Sequence, residues 1–484
     1  MPRDAMPRDA AFQPLALIDT MTQRTSTSAV QDVIGIGFGP SNLALAIALE
    51  EQAANGHALS ARFLERQPEY HWHGETLVKH SEMQISFLKD LVSLRNPTSP
   101  YSFVNYLHRH GRLVDFINLR TFYPSRLEYD DYLRWVAGHF ADQCTLGAEV
   151  LRVEPGTSHG PVDLLRVVSA DAEGRETARL ARAVVLSSGG TPHVPEPFAR
   201  LGNHARLCHH SRYLRWIGTQ PCQQGEPMRI AVIGAGQSAA EAFADLHDNY
   251  PSVRVDMIIR GAALKPADDS PFVNEIFAPA YTDLVFEQAQ ADRDRLIASY
   301  LNTNYSVIDA ELIEHIYALL YKQKVSGQFR AALLTDKTVL AAQDSRGGIE
   351  LVLGSVNASD DGATETRRYD AVVLATGYRR ESHHRLLAPL APYLGHCEVD
   401  REYRVRADAA LRAPVFLQGF CQASHGLSDT LLSVLPARAA EIAAALYDVL
   451  GGAAEGAEGS PASAAPGLNV PRPAVHAVGM AQRR

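Results

Sequence analysis

The sequence predicts an α/β protein with two Rossmann-like dinucleotide-binding units and a smaller, mainly helical region, and three observations lead there. In the first unit the strand Asp32–Ile36 enters GIGFGPSN, then a helical run LALAIALEE, then a second strand, Arg62–Leu64, that stops on Glu65. In the second unit the strand Arg229–Ile233 enters GAGQSAAE, then a helix, then a strand, Val253–Ile259, that stops on Arg260. Third, VVLSSGG at 184–190 and DAVVLATGY at 370–378 are apolar strands entering small-residue turns. Short strands alternating with helices are the pattern of a parallel sheet covered on both faces.

Each element of the glycine-rich turns has a physical reason. Gly35 and Gly37 stand where the backbone must turn tightly and approach a pyrophosphate. Gly39 and Pro40 open the following helix, whose N-terminus faces the phosphates. Proline is tolerated there because a first-turn N–H has no helical partner to lose. With Gly35 taken as the first position, the sixth is Pro40 in place of glycine. Glu65, at the end of the second strand, is placed to accept hydrogen bonds from ribose hydroxyls, the alternative being a solvated strand-end carboxylate. In the second unit Gly234, Gly236 and Ala239 fill the small-residue positions, but the strand ends on Arg260. A carboxylate would repel a 2′-phosphate, whereas a guanidinium binds it bidentately. The first site is therefore assigned to FAD and the second to NADPH, which leaves reductases, Baeyer–Villiger enzymes and N-hydroxylases open.

Composition narrows the partners. The chain has 484 residues, 46% of them apolar, enough for about three domains of ordinary size. A formal net charge of −9 without a Lys/Arg block argues against a nucleic-acid surface. No apolar run approaches the ~18 residues of a membrane span. Charges replace a secretory apolar core in the first 20 residues, so a cytoplasmic enzyme is expected. The five cysteines, Cys144, Cys208, Cys222, Cys397 and Cys421, include no C-x-x-C pair, which disfavours a flavin disulfide reductase. Neighbours of His71, His73 and His425 supply no third ligand at metal spacing, so no metal site is expected.

Four segments are more specific: MQISFLKDLVSLRNPTSPYSFVNYL (83–107), DDSPFVNEIF (268–277), TNYSV (303–307) and HGLSDTLLSVLP (425–436). Together they resemble the microbial L-ornithine N5-monooxygenase family, with the L-lysine N6-monooxygenases as near relatives, over about residues 31–445. The resemblance implies N-hydroxylation of the L-ornithine side-chain amine by dioxygen, with FAD and NADPH, through a flavin 4a-hydroperoxide, giving N5-hydroxyornithine for hydroxamate siderophores. It implies that Glu65 to His73, including Trp72, line FAD together with Gln84, with Val150 on the adenine side and Thr430, Leu431, Leu432 and Ser433 at the isoalloxazine end. It further implies that Gln237, Ser238, Arg260 and Asn304 hold NADPH, that Lys89, Asn274, Asn304 and Ser433 contact ornithine, and that the protein is a homo-oligomer, a tetramer. CHHSRYLRW (208–216) only faintly matches the Baeyer–Villiger signature, lacking its Phe and Gly.

The residue types agree with these roles. An amino acid's carboxylate needs a cation, and Lys89 in FLKDL offers one, unless it is paired with Asp90 or Glu82. Asn274 and Asn304 are neutral amides able to bind an α-amine, an α-carboxylate or a nicotinamide amide. The rival readings are the same reaction on lysine or a diamine, a flavin reductase, and a non-catalytic nucleotide sensor. The expected layout is tails at 1–30 and 451–484, an FAD domain from 31–215 and 385–450, an NADPH domain from 225–267 and 340–384, and a helical substrate region at 268–335.

Overall fold

The computed structural model describes residues 29–451 apart from 55, 57, 80 and 358–363, so the expected tails lie, but for their inner ends, outside the described residues. The core of the first unit is a seven-stranded sheet. Gln31–Ile36 lies at its centre, between Ala61–Leu64 and Glu176–Leu186, parallel to both. Cys144–Thr145 extends the sheet on one side, and Val415–Leu417 returns late in the chain to pair parallel with Glu176–Leu186. The central strand is apolar and buried from Val33 to Ile36, the pattern of a strand inside a parallel sheet. The helix Pro40–Ala53 has Asn42 to Leu49 buried without a break and packs on the C-terminal helix Leu435–Gly451. A helix apolar all round is one buried all round.

This sheet is mixed rather than purely parallel. Glu149–Pro155, Leu165–Ala170 and Glu176–Leu186 form an antiparallel meander. Its second turn shows why: the Asp171 carboxylate accepts the N–H groups of Glu173 and Arg175, and Gly174 takes φ +78°, closing a tight hairpin.

The second unit is a five-stranded parallel sheet in the order Ala331–Leu334, Val253–Ile258, Met228–Ile233, Ala371–Leu374, Leu207–His209. An antiparallel sheet of Lys337–Ser345, Gly348–Ser355 and Glu365–Tyr369 is appended to it. Two boundaries differ from the expected layout. Leu207–His209, expected in the first domain, and Ala331–Leu334, expected in the helical region, are both strands of the second sheet. Strands of three and four residues carry too few alternations to reveal their partner sheet. Between them lie the helices Pro271–Asn274, Tyr281–Phe286, Gln290–Tyr300 and Ala310–Ser326.

One ion pair fastens the first unit. Arg438, 1% exposed, donates to the Asp429 carboxylate at 2.8 Å, to the Asp429 carbonyl at 2.5 Å and to Ser41 Oγ at 2.9 Å. Asp429 in turn accepts from the backbone N–H groups of Gly419 and Cys421. The pair thereby ties the C-terminal helix, the 419–430 loop and the first turn of Pro40–Ala53 together. Removing one partner strands the other charge in a dry interior. Arg438→Met is therefore expected to cost about 3–5 kcal/mol in chemical denaturation, and adding Asp429→Ala should restore part of it. Wild-type stability of the single variant would show that the pair fastens nothing.

Candidate active site

The two glycine turns superimpose in logic once their strand ends and helix caps are aligned, and this corrects the expected motif frame. The first strand ends at Ile36 with Gly39 as helix cap; the second ends at Ile233 with Gly236 as cap. Gly37, Gly39 and Asn42 thus correspond to Gly234, Gly236 and Ala239, two residues later than the frame beginning at Gly35. Gly35 lies inside its strand, where a Cβ would sit 2.3 Å from the Phe63 ring. Gly37 has φ +83° and a Cβ there would meet the Ser187 carbonyl at 2.6 Å; Gly234, φ +145°, would meet the Ala375 carbonyl at 2.3 Å. The SSG and ATG turns are therefore the surfaces against which these glycines close. Asn42, fully buried, donates to the Gly37 carbonyl at 2.6 Å and accepts from Gln418 at 3.0 Å. A Cβ on Gly39 would have no neighbour within 4 Å, and Pro40 is the first helical residue, so open space lies before this helix N-terminus.

Glu65 closes the first turn. Its carboxylate, 8% exposed, accepts from Phe38 N at 2.8 Å and Gln67 N at 3.0 Å, which leaves lone pairs on both oxygens. Trp72 N donates to Asp130 at 2.6 Å, and its ring meets Tyr129 edge-on. His73 holds a left-handed backbone, φ +56°. Desolvation by the surrounding protein, with Arg126 and Arg380 nearby, lowers its pKa to about 4. Val150 is buried in the first core. Thr430, Leu431 and Leu432 are half-buried in consecutive short turns, and Ser433 Oγ is buried without a hydrogen-bond partner among the described residues.

At the second turn Ser238 lies in the first helical turn and Arg260 stands exposed just past Val253–Ile258, with no ion pair among the described residues. Gln237 is less free than expected. Its amide donates to Glu241 at 2.9 Å and Asp309 at 2.8 Å and accepts from Asp309 N at 2.9 Å. Both hydrogens of its side-chain amide are therefore spent, leaving the backbone N–H as the donor for a ligand. Asp309 also accepts from Gln84 at 2.8 Å, and Glu241, 4% exposed, pairs with Arg126. Asp309, Glu241 and Arg126 escaped the sequence reading. The only local signal was the Ser125–Glu128 capping sequence that starts the helix carrying Arg126.

The expected substrate contacts are partly assembled. Tyr305, beside Asn304, hydrogen-bonds Gln422 at 2.9 Å and Thr430 at 3.0 Å, and Glu275–Phe277, beside Asn274, packs on Leu427–Thr430. Asn274 donates to the Asp269 carbonyl, leaving its own carbonyl available, and the Asn304 side chain makes no hydrogen bond among the described residues. Lys89 bonds to none of these. It is half-buried, desolvation lowers its pKa, and no carboxylate pairs with it among the described residues. Asp90, one partner considered for it, is instead filled by Val92 N, Ser93 N, Ser93 Oγ and Phe103 N. A cavity of about 430 Å³ opens beside Gln422 and Phe420, with Ile297 and Leu301 on its apolar wall and Arg380 at its edge. No group of three His, Cys, Asp or Glu side chains gathers at metal-binding distance among the described residues.

Residues 29–380 match the family model of L-lysine 6-monooxygenase/L-ornithine 5-monooxygenase. The chain belongs to this family. It is 59% identical over 430 residues to the L-ornithine N(5)-monooxygenase of Pseudomonas aeruginosa, covering 89% of this chain and 96% of the relative. With that of Burkholderia cepacia it shares 48% over 404 residues, 82% of this chain and 90% of the relative. Among solved structures, the ornithine hydroxylase of Pseudomonas aeruginosa matches with TM-score 0.83 at 57% identity, covering 87% of this chain and 100% of that one. The ornithine N-hydroxylase of Kutzneria sp. 744, solved with reduced FAD, NADP+ and L-ornithine, matches with TM-score 0.81 at 36%, covering 87% and 99%. No described helix is long and apolar enough to cross a membrane.

Three buried histidines share the neutral character of His73. Desolvation lowers His210 to about 3 and His383 and His425 to about 4. At pH 7 these imidazoles are neutral in both folded and unfolded chains. As pH falls from 6.5 toward 4, only the unfolded chain gains protons, so stability is complete above 6.5 and declines below it. Each should remove up to about 1.4 kcal/mol per pH unit in that window. His383, with Nδ1 unpartnered and its ring against Phe420, is the cleanest probe. His383→Phe should flatten the decline in chemical denaturation between pH 6.5 and 5, and an unchanged slope would show that His383 takes up its proton without unfolding.

Proposed function

We propose that this chain is an L-ornithine N5-monooxygenase that uses FAD, NADPH and dioxygen to make N5-hydroxyornithine for hydroxamate siderophores. The observation carrying the cofactor reading is the contrast at the two strand ends: a buried, hydrogen-bonding Glu65 at the first and an exposed Arg260, without an ion pair among the described residues, at the second. The strong identity to ornithine enzymes supports the substrate, and at 32% identity the Pseudomonas syringae L-lysine 6-monooxygenase is a more distant match. This matters because one methylene changes pocket affinity by only about 1–3 kcal/mol.

The residues present fit FAD. Open space in front of Gly39 receives a pyrophosphate, Glu65 accepts from ribose, Val150 borders the adenine, and the orphaned Ser433 Oγ with Thr430, Leu431 and Leu432 borders the ring end. Trp72, His73 and Gln84 complete that wall. Gly234, Gly236, the Gln237 backbone N–H, Ser238, Asn304 and Arg260 hold NADPH. When bound, FAD supplies the electron-carrying and dioxygen-activating chemistry that side chains cannot.

What this chain's residues do is position. Per turnover NADPH, a proton, dioxygen and the amine become NADP+, water and the hydroxylamine. Lys89 takes the substrate carboxylate, while Asn274 and Asn304 orient the amino-acid end and Ser433 contacts the substrate beside the ring. The side-chain amine must react unprotonated, although a free alkylamine has a pKa near ~10. None of the described residues assigned to the substrate site is a strong base free to take the proton, so an apolar, water-poor pocket carries that burden by penalising the ammonium. A cytoplasmic location and a homo-oligomeric, tetrameric state complete the proposal.

Two variants test it. Arg260→Ala removes charge-assisted hydrogen bonds that only the 2′-phosphate makes, so the KM for NADPH should rise about tenfold or more while that for NADH stays. An unchanged NADPH/NADH preference removes Arg260 from the site. Lys89→Ala should raise the ornithine KM by about tenfold or more with flavin content intact, and NADPH oxidation should then yield hydrogen peroxide because the amine is poorly held. Normal KM and coupling would make Lys89 structural and place the substrate elsewhere.

A further inference from the structure

The Asp309 carboxylate sits where three parts of the chain meet, and it is used by none of the steps above. Its Oδ1 accepts from Gln84 Nε2 and its Oδ2 from Gln237 Nε2, both at 2.8 Å, across sequence separations of 225 and 72 residues. Asp309 is the cap residue of Ala310–Ser326 but makes no side-chain bond to that helix. An aspartate in a cap position ordinarily binds its own first turn. Here the carboxylate turns away to hold two glutamines instead.

A carboxylate only accepts, so both glutamines must present their NH₂ groups to it. The two amides are then fixed to different degrees. Gln237 is held by three hydrogen bonds, to Glu241 and twice to Asp309. The side chain of Gln84 is exposed and held by Asp309 alone, and its carbonyl oxygen takes no hydrogen bond among the described residues. We infer that Asp309 is a positioning residue: it sets the amide of Gln84 with its carbonyl toward the flavin site while anchoring the nucleotide-binding helix at Gln237, so that one side chain aligns the two cofactors. The inference rests on the cofactor assignment proposed above.

Asp309→Asn separates this from a merely structural role. Asparagine has the same shape and is an equally good helix cap, but it offers one acceptor and one donor. One glutamine must turn over, and it is the singly held Gln84, which then presents NH₂ where it had presented a carbonyl. In the FAD-loaded enzyme, stopped-flow reduction by NADPH should slow about tenfold and the flavin absorption spectrum should shift. FAD content and melting temperature should stay at wild-type values, and the KM for NADPH within about twofold. Because Asp309 acts through Gln84, the double variant Gln84→Ala/Asp309→Asn should be no slower than Gln84→Ala alone. A wild-type reduction rate and spectrum in Asp309→Asn overturns the inference. So does a loss expressed only in NADPH KM or FAD content, or effects of the two substitutions that multiply. A wild-type enzyme that neither retains FAD nor oxidises NADPH fails the underlying assignment instead, and that outcome is read before any variant.

Discussion

The buried contact between Arg438 and Asp429 is the constraint on which the first unit depends. Neither residue belongs to a glycine turn, yet together they decide where that turn ends. Arg438 reaches Ser41 in the first turn of the helix that begins at Pro40, and Asp429 gathers the N–H groups of Gly419 and Cys421. The loop that follows Val415–Leu417 is thereby placed beside the helix N-terminus, and Thr430 to Ser433 are carried with it. A charge pair of this kind adds little net stability against an apolar replacement of the same volume. Its value is directional: a hydrophobic contact is satisfied by many packings, whereas this guanidinium fork accepts few.

The elements that the sequence made legible are those whose chemistry is local. A strand, a glycine turn and a helix must follow one another within a dozen or so residues, and the acid or base at the next strand's end follows shortly after. Glu65 and Arg260 stand where that reasoning put them. Even here the frame slipped by two residues, because Gly35 completes the G-x-G pattern as well as Gly37 does. Only the strand end at Ile36 and the Phe63 ring over Gly35 distinguish a glycine that packs from one that turns. The short strands Leu207–His209 and Ala331–Leu334 were assigned to the wrong neighbours for a related reason. Their membership is decided by pairing partners far along the chain, on which three or four residues say nothing.

Polar contacts across long separations were illegible. Gln84, Asp309, Gln237, Glu241 and Arg126 form a chain of hydrogen bonds and one ion pair from one dinucleotide unit to the other. No periodicity marks such residues, since each is an ordinary surface type until its partner is known. The resemblance supplied Gln84 and Gln237 as separate contacts; the structure joins them. It also changes what Gln237 offers, because an amide with three bonds already made has no donor left for a nucleotide.

The two units solve the same steric problem with the same device. In each, a glycine of positive φ closes against the carbonyl of a small-residue turn, Ser187 in one and Ala375 in the other. Those turns end the strands Glu176–Leu186 and Ala371–Leu374, each paired in register with the strand that leads into its glycine turn. The strands are thus close enough that any side chain would collide, and the shape of the phosphate cradle is fixed by the backbone. Side chains are then free to differ: Asn42 locks the first turn with a hydrogen bond where Ala239 merely fits in the second. What the shared backbone cannot fix is how the two cradles face each other. Two devices join them: the ladder of Thr191–Pro192 with Tyr378–Arg379, between the segments that leave the two sheets, and the polar residues at Asp309, where a carboxylate that only accepts and an amide that both donates and accepts leave few arrangements with every group satisfied.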